Sequence, residues 1–230
     1  VVAGLLALVI VPPVAAAVGL ATLLEVPLPG ELPAEAPLFE AVPSVVYDRE
    51  GNEIAVFRGF DRTVAVTPDQ IPDIVNDAVV AIEDQRFWDH NGVDVEGIAR
   101  AARTNLEVGS IAQGGSTITQ QYVKNTYLSG ERTLERKARE ALLAIELEQQ
   151  MTKREILFAY LESSYFGSGA YGIGAAAEVY FSKSVDELDI SEAATLAGVL
   201  QSPTRLSPLV DIDEADARRK VVLQAMLDYG

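Results

Sequence analysis

Three stretches of this chain carry the side chains able to do chemistry. The first, AIEDQRFWDHNG (81–92), sets Glu83 beside Asp84 and holds the only histidine, His90, and the only tryptophan, Trp88. Glu83 follows Ile82 directly, with Val79 one turn back. That spacing predicts a carboxylate at the edge of a buried stripe, where desolvation raises its pKa and suits it to general acid or base work. Taken alone, a solvated helix end paired with Arg86 is the stronger reading, and a lone histidine is more often a core or capping residue than a catalyst. The second stretch, GGSTITQQYVKN (114–125), opens a helix with two glycines, Ser116 and Thr117. Free backbone N–H groups and hydroxyls at a positive dipole end suit an oxyanion or phosphate. Gln120, Gln121 and Lys124 follow within two turns on neighbouring faces. The third, ERTLERKAREALLAIELE (131–148), spaces Arg132, Arg136 and Glu140 four apart, along one side of a helix.

These stretches stand out against the composition. Acidic residues outnumber basic ones 34 to 18, a formal charge of −16, yet residues 100–140 hold seven bases against four acids. The overall balance argues against a nucleic-acid surface, whose affinity comes from neutralising phosphates. A local basic patch still admits a phosphate-bearing ligand. A solvated, ion-paired helix is the default for 131–148 by itself. With no cysteine in the chain, disulfides and thiolate metal sites are excluded.

The positioning elements are predicted to be mostly helical. Ile71, Ile74, Val75, Ala78, Val79 and Ile82 mark one helix face after Pro68 and Pro72. A helix after Asp94 is expected to turn Ile98, Ala99, Ala102 and Leu106 inward, and one from Thr133 to Gln150 to bury Leu134, Ala138, Ala141, Leu142 and Ile145. Thr152 and Glu155 form a capping box for the next helix, and 191–200 and 213–229 complete the set. Ahead of them, alternation around Arg49-Glu50-Gly51-Asn52 predicts a hairpin pairing Val45–Tyr47 with Ile54–Phe57. Residues 1–24 are uncharged and long enough to cross a bilayer core of ~30 Å, which favours a retained transmembrane anchor over a cleaved signal. Residues 25–43 are proline-rich and acidic, an extended linker, and leave 44–230 as the folded domain.

In this order, EDQRFWDHNG, GGSTITQQYVKN, RKAREALLAIELE, YFGSGAYGIGAAAEVYF and SEAATLAGVLQSPTRLSP resemble the peptidoglycan glycosyltransferases, the membrane-anchored polymerase modules of class A penicillin-binding proteins and monofunctional transglycosylases. The resemblance implies a mostly α, lysozyme-like domain with a small membrane-associated jaw, on the outer face of the cytoplasmic membrane behind one membrane span. It implies lipid II and the growing glycan chain as partners, with membrane lipid and a cell-wall synthesis complex around them, and no nucleic acid. By the resemblance Glu83 is the general base that deprotonates the acceptor 4-hydroxyl, and Glu140 assists at the donor pyrophosphate. Arg100, Ser116, Gln120, Gln121, Lys124, Arg132 and Arg136 match phosphate- and sugar-holding residues, while Asp84, Phe87 and His90 support the helix end that carries Glu83. No cofactor is implied as obligatory; a divalent cation, Mg or Mn, at the pyrophosphate is admitted. The base is expected to stand apart from the cations, which would depress its pKa. One departure is Tyr160-Leu161-Glu162, where the family reads Tyr-Leu-Asn. A lysozyme-like hydrolase or lytic transglycosylase, and an inactive lipid-II-binding scaffold, are the competing readings; the first has no use for the basic cluster, and intact Glu83, Lys124 and Glu140 count against the second.

Overall fold

The computed structural model describes residues 44–49, 51, 53–57, 62–108, 115–128 and 133–230. The expected anchor (1–24) and linker (25–43) lie outside these residues, as does Arg132. Among the described residues, no helix is long and apolar enough to cross a membrane. The architecture is mostly α with a few short strands. It divides into two compact units, one running from Glu83 to Tyr160, the other joining 44–82 to Leu161–Gly230.

In the second unit, β1 (Ser44–Tyr47) and β2 (Glu53–Phe57) form the expected antiparallel hairpin, with Val45 opposite Val56 and Val46 opposite Ala55. A two-residue strand β3 (Arg62–Thr63) pairs in parallel with β4 (Ala170–Tyr171), too short to leave a period in the sequence. Helix α1 (Asp73–Glu83) buries Val75, Ala78 and Val79 of the predicted face together with Val80 and Ala81, while Ile74 and Ile82 are only half-buried. On the C-terminal side, α6 (Ile173–Phe181), α7 (Ile190–Val199) and α8 (Ile212–Tyr229) follow. Runs of alanine in α6 and α7 let helices approach closely, and α7 packs along α8, with Gly198 against Arg218 and Val222. Asp189 and Asp211 cap α7 and α8 by accepting from backbone N–H groups of the first turn.

The first unit contains α2 (Val95–Val108), α3 (Ile118–Tyr127), α4 (Leu134–Gln150) and most of α5 (Lys153–Ser163). Val93, Ala138, Leu142 and Ile145 form a core with Val95 and Ala141 against it. Thr133 caps α4 by accepting from Arg136 N at 3.1 Å, and Glu155 accepts from both the backbone N–H and hydroxyl of Thr152 at the start of α5, as the capping-box spacing predicts. Four apolar positions depart from expectation, of which Leu134 is 75% exposed, Leu106 83% and Ile98 43%. Ala99 is exposed as well. Helical spacing marks which side of a helix is apolar; it does not supply a neighbour to cover it.

Gly92 fixes how closely the 84–94 segment approaches α4. Its φ is +82°, and a Cβ there would lie 2.6 Å from the backbone of Ala144 and Ile145. Helix backbone cannot yield as a side chain can. Gly92→Ala is expected to lower stability by ~2–4 kcal/mol through left-handed strain and this overlap, read as a fall in the thermal midpoint.

Glu162, in the last turn of α5, supplies a second test. Its carboxyl is pushed above its ordinary 4.5, mainly by burial and in opposition to a hydrogen bond from the Val66 backbone. Its Oε1 is buried without a hydrogen-bond partner. The unfolded chain therefore releases this proton first, so stability falls as pH rises from 4.5 through the raised folded value and stays lowered above it. Glu162→Gln should raise the thermal midpoint at pH 7 by a modest amount, and should match the wild type below about pH 4.5. Paired melts at the two pH values check this.

Candidate active site

Glu83 is the last residue of α1 and is half-buried. Gln121, in the second turn of α3, donates from Nε2 to Glu83 Oε2 at 2.8 Å. The Tyr160 hydroxyl donates to the other end of the same carboxamide, Gln121 Oε1, at 3.2 Å. With an acceptor at one end and a donor at the other, the amide has one consistent orientation, and it presents an N–H to the Glu83 carboxylate. The next residue, Asp84, is buried and accepts from the N–H of Ile118, the first residue of α3, at 3.0 Å. A carboxylate at that end also meets the positive pole of the helix. Asp84 is in turn bonded by His90 Nε2, 3.0 and 3.1 Å from its two oxygens. Phe87 is fully buried, with its ring edge-on to His90 at 6.3 Å.

Lys124 lies three residues beyond Gln121 and therefore on a neighbouring face of α3. It is half-buried, and its ammonium makes no hydrogen bond or ion pair with a described residue. Burial is the main influence, holding its pKa below the usual 10.5. Glu140 opposes that shift, Lys137 and Arg136 reinforce it, and Glu83 adds the smallest opposing effect. So the separation expected between base and cations is partial: Lys124 senses both carboxylates.

Glu140 is only 2% exposed. Lys137 Nζ donates to its Oε2 at 2.8 Å, and Arg136 Nε stands 3.1 Å from its Oε1 at an angle that makes an ion pair rather than a hydrogen bond. Lys137 also donates to Ser116 Oγ at 2.8 Å, which joins the loop before α3 to α4. Ser116, Gln121, Lys124, Arg136 and Glu140 are thus gathered with Glu83 in one unit. Gln120 is not part of this surface. It is 2% exposed, and its Oε1 accepts from Thr117 N at 3.1 Å while Thr117 Oγ1 accepts from Gln120 N, a capping box that closes α3. Arg100 is exposed on α2, with no hydrogen bond or ion pair to the cluster among the described residues. Lys137 and Tyr160 were absent from the expected site. Lys137 was visible only as a base three residues before Glu140, and nothing local distinguishes Tyr160 from a core tyrosine.

A divalent ion held by protein ligands alone finds no ready set among the described residues. Among the described residues, no three His, Asp or Glu side chains come together to hold a metal. Glu140, the carboxylate such an ion would use, already faces two cationic side chains. The chemistry the cluster offers is a carboxylate base beside a concentration of fixed positive charge, suited to taking a proton near an anionic leaving group.

Comparison with known proteins gives this arrangement a family. The model of the Transglycosylase family matches residues 50–227. Penicillin-binding protein 1A of Escherichia coli (strain K12) is 50% identical over 189 residues, which cover 82% of this chain and 22% of that protein. Penicillin-binding protein 1A of Aquifex aeolicus is 48% identical over 187 residues, covering 81% and 26%. The 2.6 Å crystal structure of penicillin-binding protein 1A from Haemophilus influenzae aligns over 81% of this chain and 18% of that one, at 26% identity and a TM-score of 0.45. The chain spans about a quarter or less of the length of these relatives. Because the family model takes in most of the chain, including every gathered site residue, the chain belongs to the transglycosylase family, the peptidoglycan glycosyltransferases found as modules of class A penicillin-binding proteins.

Proposed function

We propose that this chain polymerises lipid II by inverting glycosyl transfer. Glu83 takes the proton of the acceptor 4-hydroxyl as that oxygen bonds to the donor's anomeric carbon. The bond from that carbon to the lipid pyrophosphate breaks, the electron pair leaves with the phosphate, and the anomeric centre inverts. The observation that carries this reading is the pairing on one helix of Gln121, hydrogen-bonded to Glu83, with Lys124, a half-buried ammonium unpartnered among the described residues. Lys124, Arg136 and Lys137, with Arg132 and Arg100 from flanking segments, meet the pyrophosphate charge in place of a protein-held Mg or Mn. Residues 44–230 act as one lysozyme-like catalytic domain with a membrane-associated jaw. Residues 1–24 anchor it outside the cytoplasmic membrane through the linker 25–43, within a cell-wall synthesis complex.

The test uses the full chain in detergent with labelled lipid II. Glycan polymer from the lipid-linked donor, and no sugar release from finished lipid-free glycan, supports the reading. Release from lipid-free glycan identifies a hydrolase instead, and binding without turnover identifies a scaffold.

A further inference from the structure

Behind Asp84 lies a buried group of charges that the proposed reaction does not use directly. Glu148, in the last turn of α4, accepts from Thr119 Oγ1 at 2.5 Å and from Lys153 Nζ at 2.8 Å. Lys153, the first residue of α5, also stands 4.5 Å over the Phe87 ring and 3.4 Å from His90 Nδ1. Each member sits at the wrong end of its own helix: a carboxylate at the C-terminal, negative pole of α4 and an ammonium at the N-terminal, positive pole of α5. Local helix energetics disfavour both, so their pairing is maintained by what the cluster does as a whole.

The cluster restricts His90 to one protonation form. An ammonium has only donors, so the nitrogen facing Lys153 must present a lone pair. The other nitrogen faces both oxygens of Asp84, one of which also accepts from Ile118 N, and so must carry the proton. An imidazolium would aim Nδ1–H at the ammonium, with Glu148 Oε1 too distant at 4.0 Å to accept it. The opposite neutral tautomer would set a lone pair against a carboxylate. Only the Nε2–H imidazole satisfies every neighbour.

We infer that Glu148 and Lys153 are positioning residues for Glu83: they lock His90 as its Nε2–H tautomer, which holds the Asp84 carboxylate at the start of α3. Asp84 is the chain neighbour of Glu83, and Ile118 lies three residues before Gln121, the hydrogen-bond donor to Glu83. The lock therefore sets the end of α1 against the helix that orients the base. It rests on Glu83 being the base, and it adds two residues of α4 and α5 to the machinery of that step.

His90 is the only histidine in the chain, so uniform ¹⁵N-histidine labelling of the full chain in detergent reports on it alone. The wild type at neutral pH should show a protonated Nε2 and a lone-pair Nδ1. Lys153→Met and Glu148→Gln should shift that pattern and lower kcat on lipid II by roughly ten- to a hundredfold with little change in KM, since misplacement of a catalytic group acts on the chemical step. Lys153→Arg should restore both. A wild-type spectrum of an imidazolium or of the Nδ1–H form overturns the inference without recourse to any variant. So does a folded Lys153→Met protein with an unchanged spectrum and unchanged kcat. Glu83→Gln should keep the wild-type histidine spectrum while losing activity. An active Glu83→Gln protein overturns the base assignment beneath the inference, whereas an altered tautomer in the intact wild type overturns the lock itself.

Discussion

Glu83→Gln is expected to lower polymer formation from lipid II by ~10²–10⁴-fold, the usual contribution of a positioned base, while donor binding persists. The substitution keeps the length and planarity of the side chain and retains an oxygen that accepts from Gln121 Nε2, which in the wild type donates at 2.8 Å. Asp84 still caps α3, so the end of α1 stays in register. What is lost is the capacity to take the acceptor's proton. Steady-state polymerisation, with lipid II binding measured in parallel and circular dichroism as the folding control, separates this from disruption of the site. Near-normal polymerisation by the variant overturns the assignment of the base.

Lys124→Met is expected to reduce affinity for pyrophosphate-bearing donors by roughly ten- to a hundredfold, the equivalent of one hydrogen bond to a charged group at ~1.5–3 kcal/mol. Binding of a neutral, lipid-free glycan changes little. The same substitution makes the free protein more stable at pH 7. Lys124 has its pKa lowered chiefly by burial, with Glu140 and Glu83 opposing and failing to reverse it. Between the depressed folded value and the unfolded 10.5, the unfolded chain binds more protons, so wild-type stability rises with pH across that window. The variant's advantage should thus be full below the depressed folded value and closed above pH 10.5. Opposite changes in activity and in thermal midpoint mark a residue kept for ligand rather than for fold. Equal losses of binding to both ligands would mark it as structural.

The sequence shows local rules clearly and long-range company poorly. The hairpin's two strands were legible because apolar alternation runs on either side of a Gly51 turn, whereas its register, with an irregularity between Val46 and Tyr47, was not. The starts of α4 and α5 were legible because Thr133, Thr152 and Glu155 cap them within one turn. The site's outline was legible through motif order, and Glu83, Gln121, Lys124, Arg136 and Glu140 do come together. Gln120 was misread because a carboxamide in the first turn can serve a ligand or a cap with the same spacing. The exposure of Leu134 and Leu106 was hidden because apolar periodicity is a property of one helix and burial a property of two. The bond from Lys153 to Glu148 crosses a helix break, where no periodicity operates, and the two residues look like ordinary surface charges in the sequence.

The double cationic embrace of Glu140 narrows the routes by which this module could escape an antibiotic that imitates the lipid pyrophosphate. Such a compound would recruit the same Lys124, Arg136 and Lys137, and the simplest resistance substitution would discard one of the last two. Yet Glu140 is nearly inaccessible to solvent, and its charge is answered by those side chains. Removing one of the two cations leaves this buried carboxylate with a single partner, a cost below the ~3–5 kcal/mol of a buried charge left wholly unpaired but still felt in a domain stable by only ~5–15 kcal/mol. A resistant lineage would carry that cost unless it gave up Glu140 as well, the carboxylate that the resemblance places at the donor pyrophosphate.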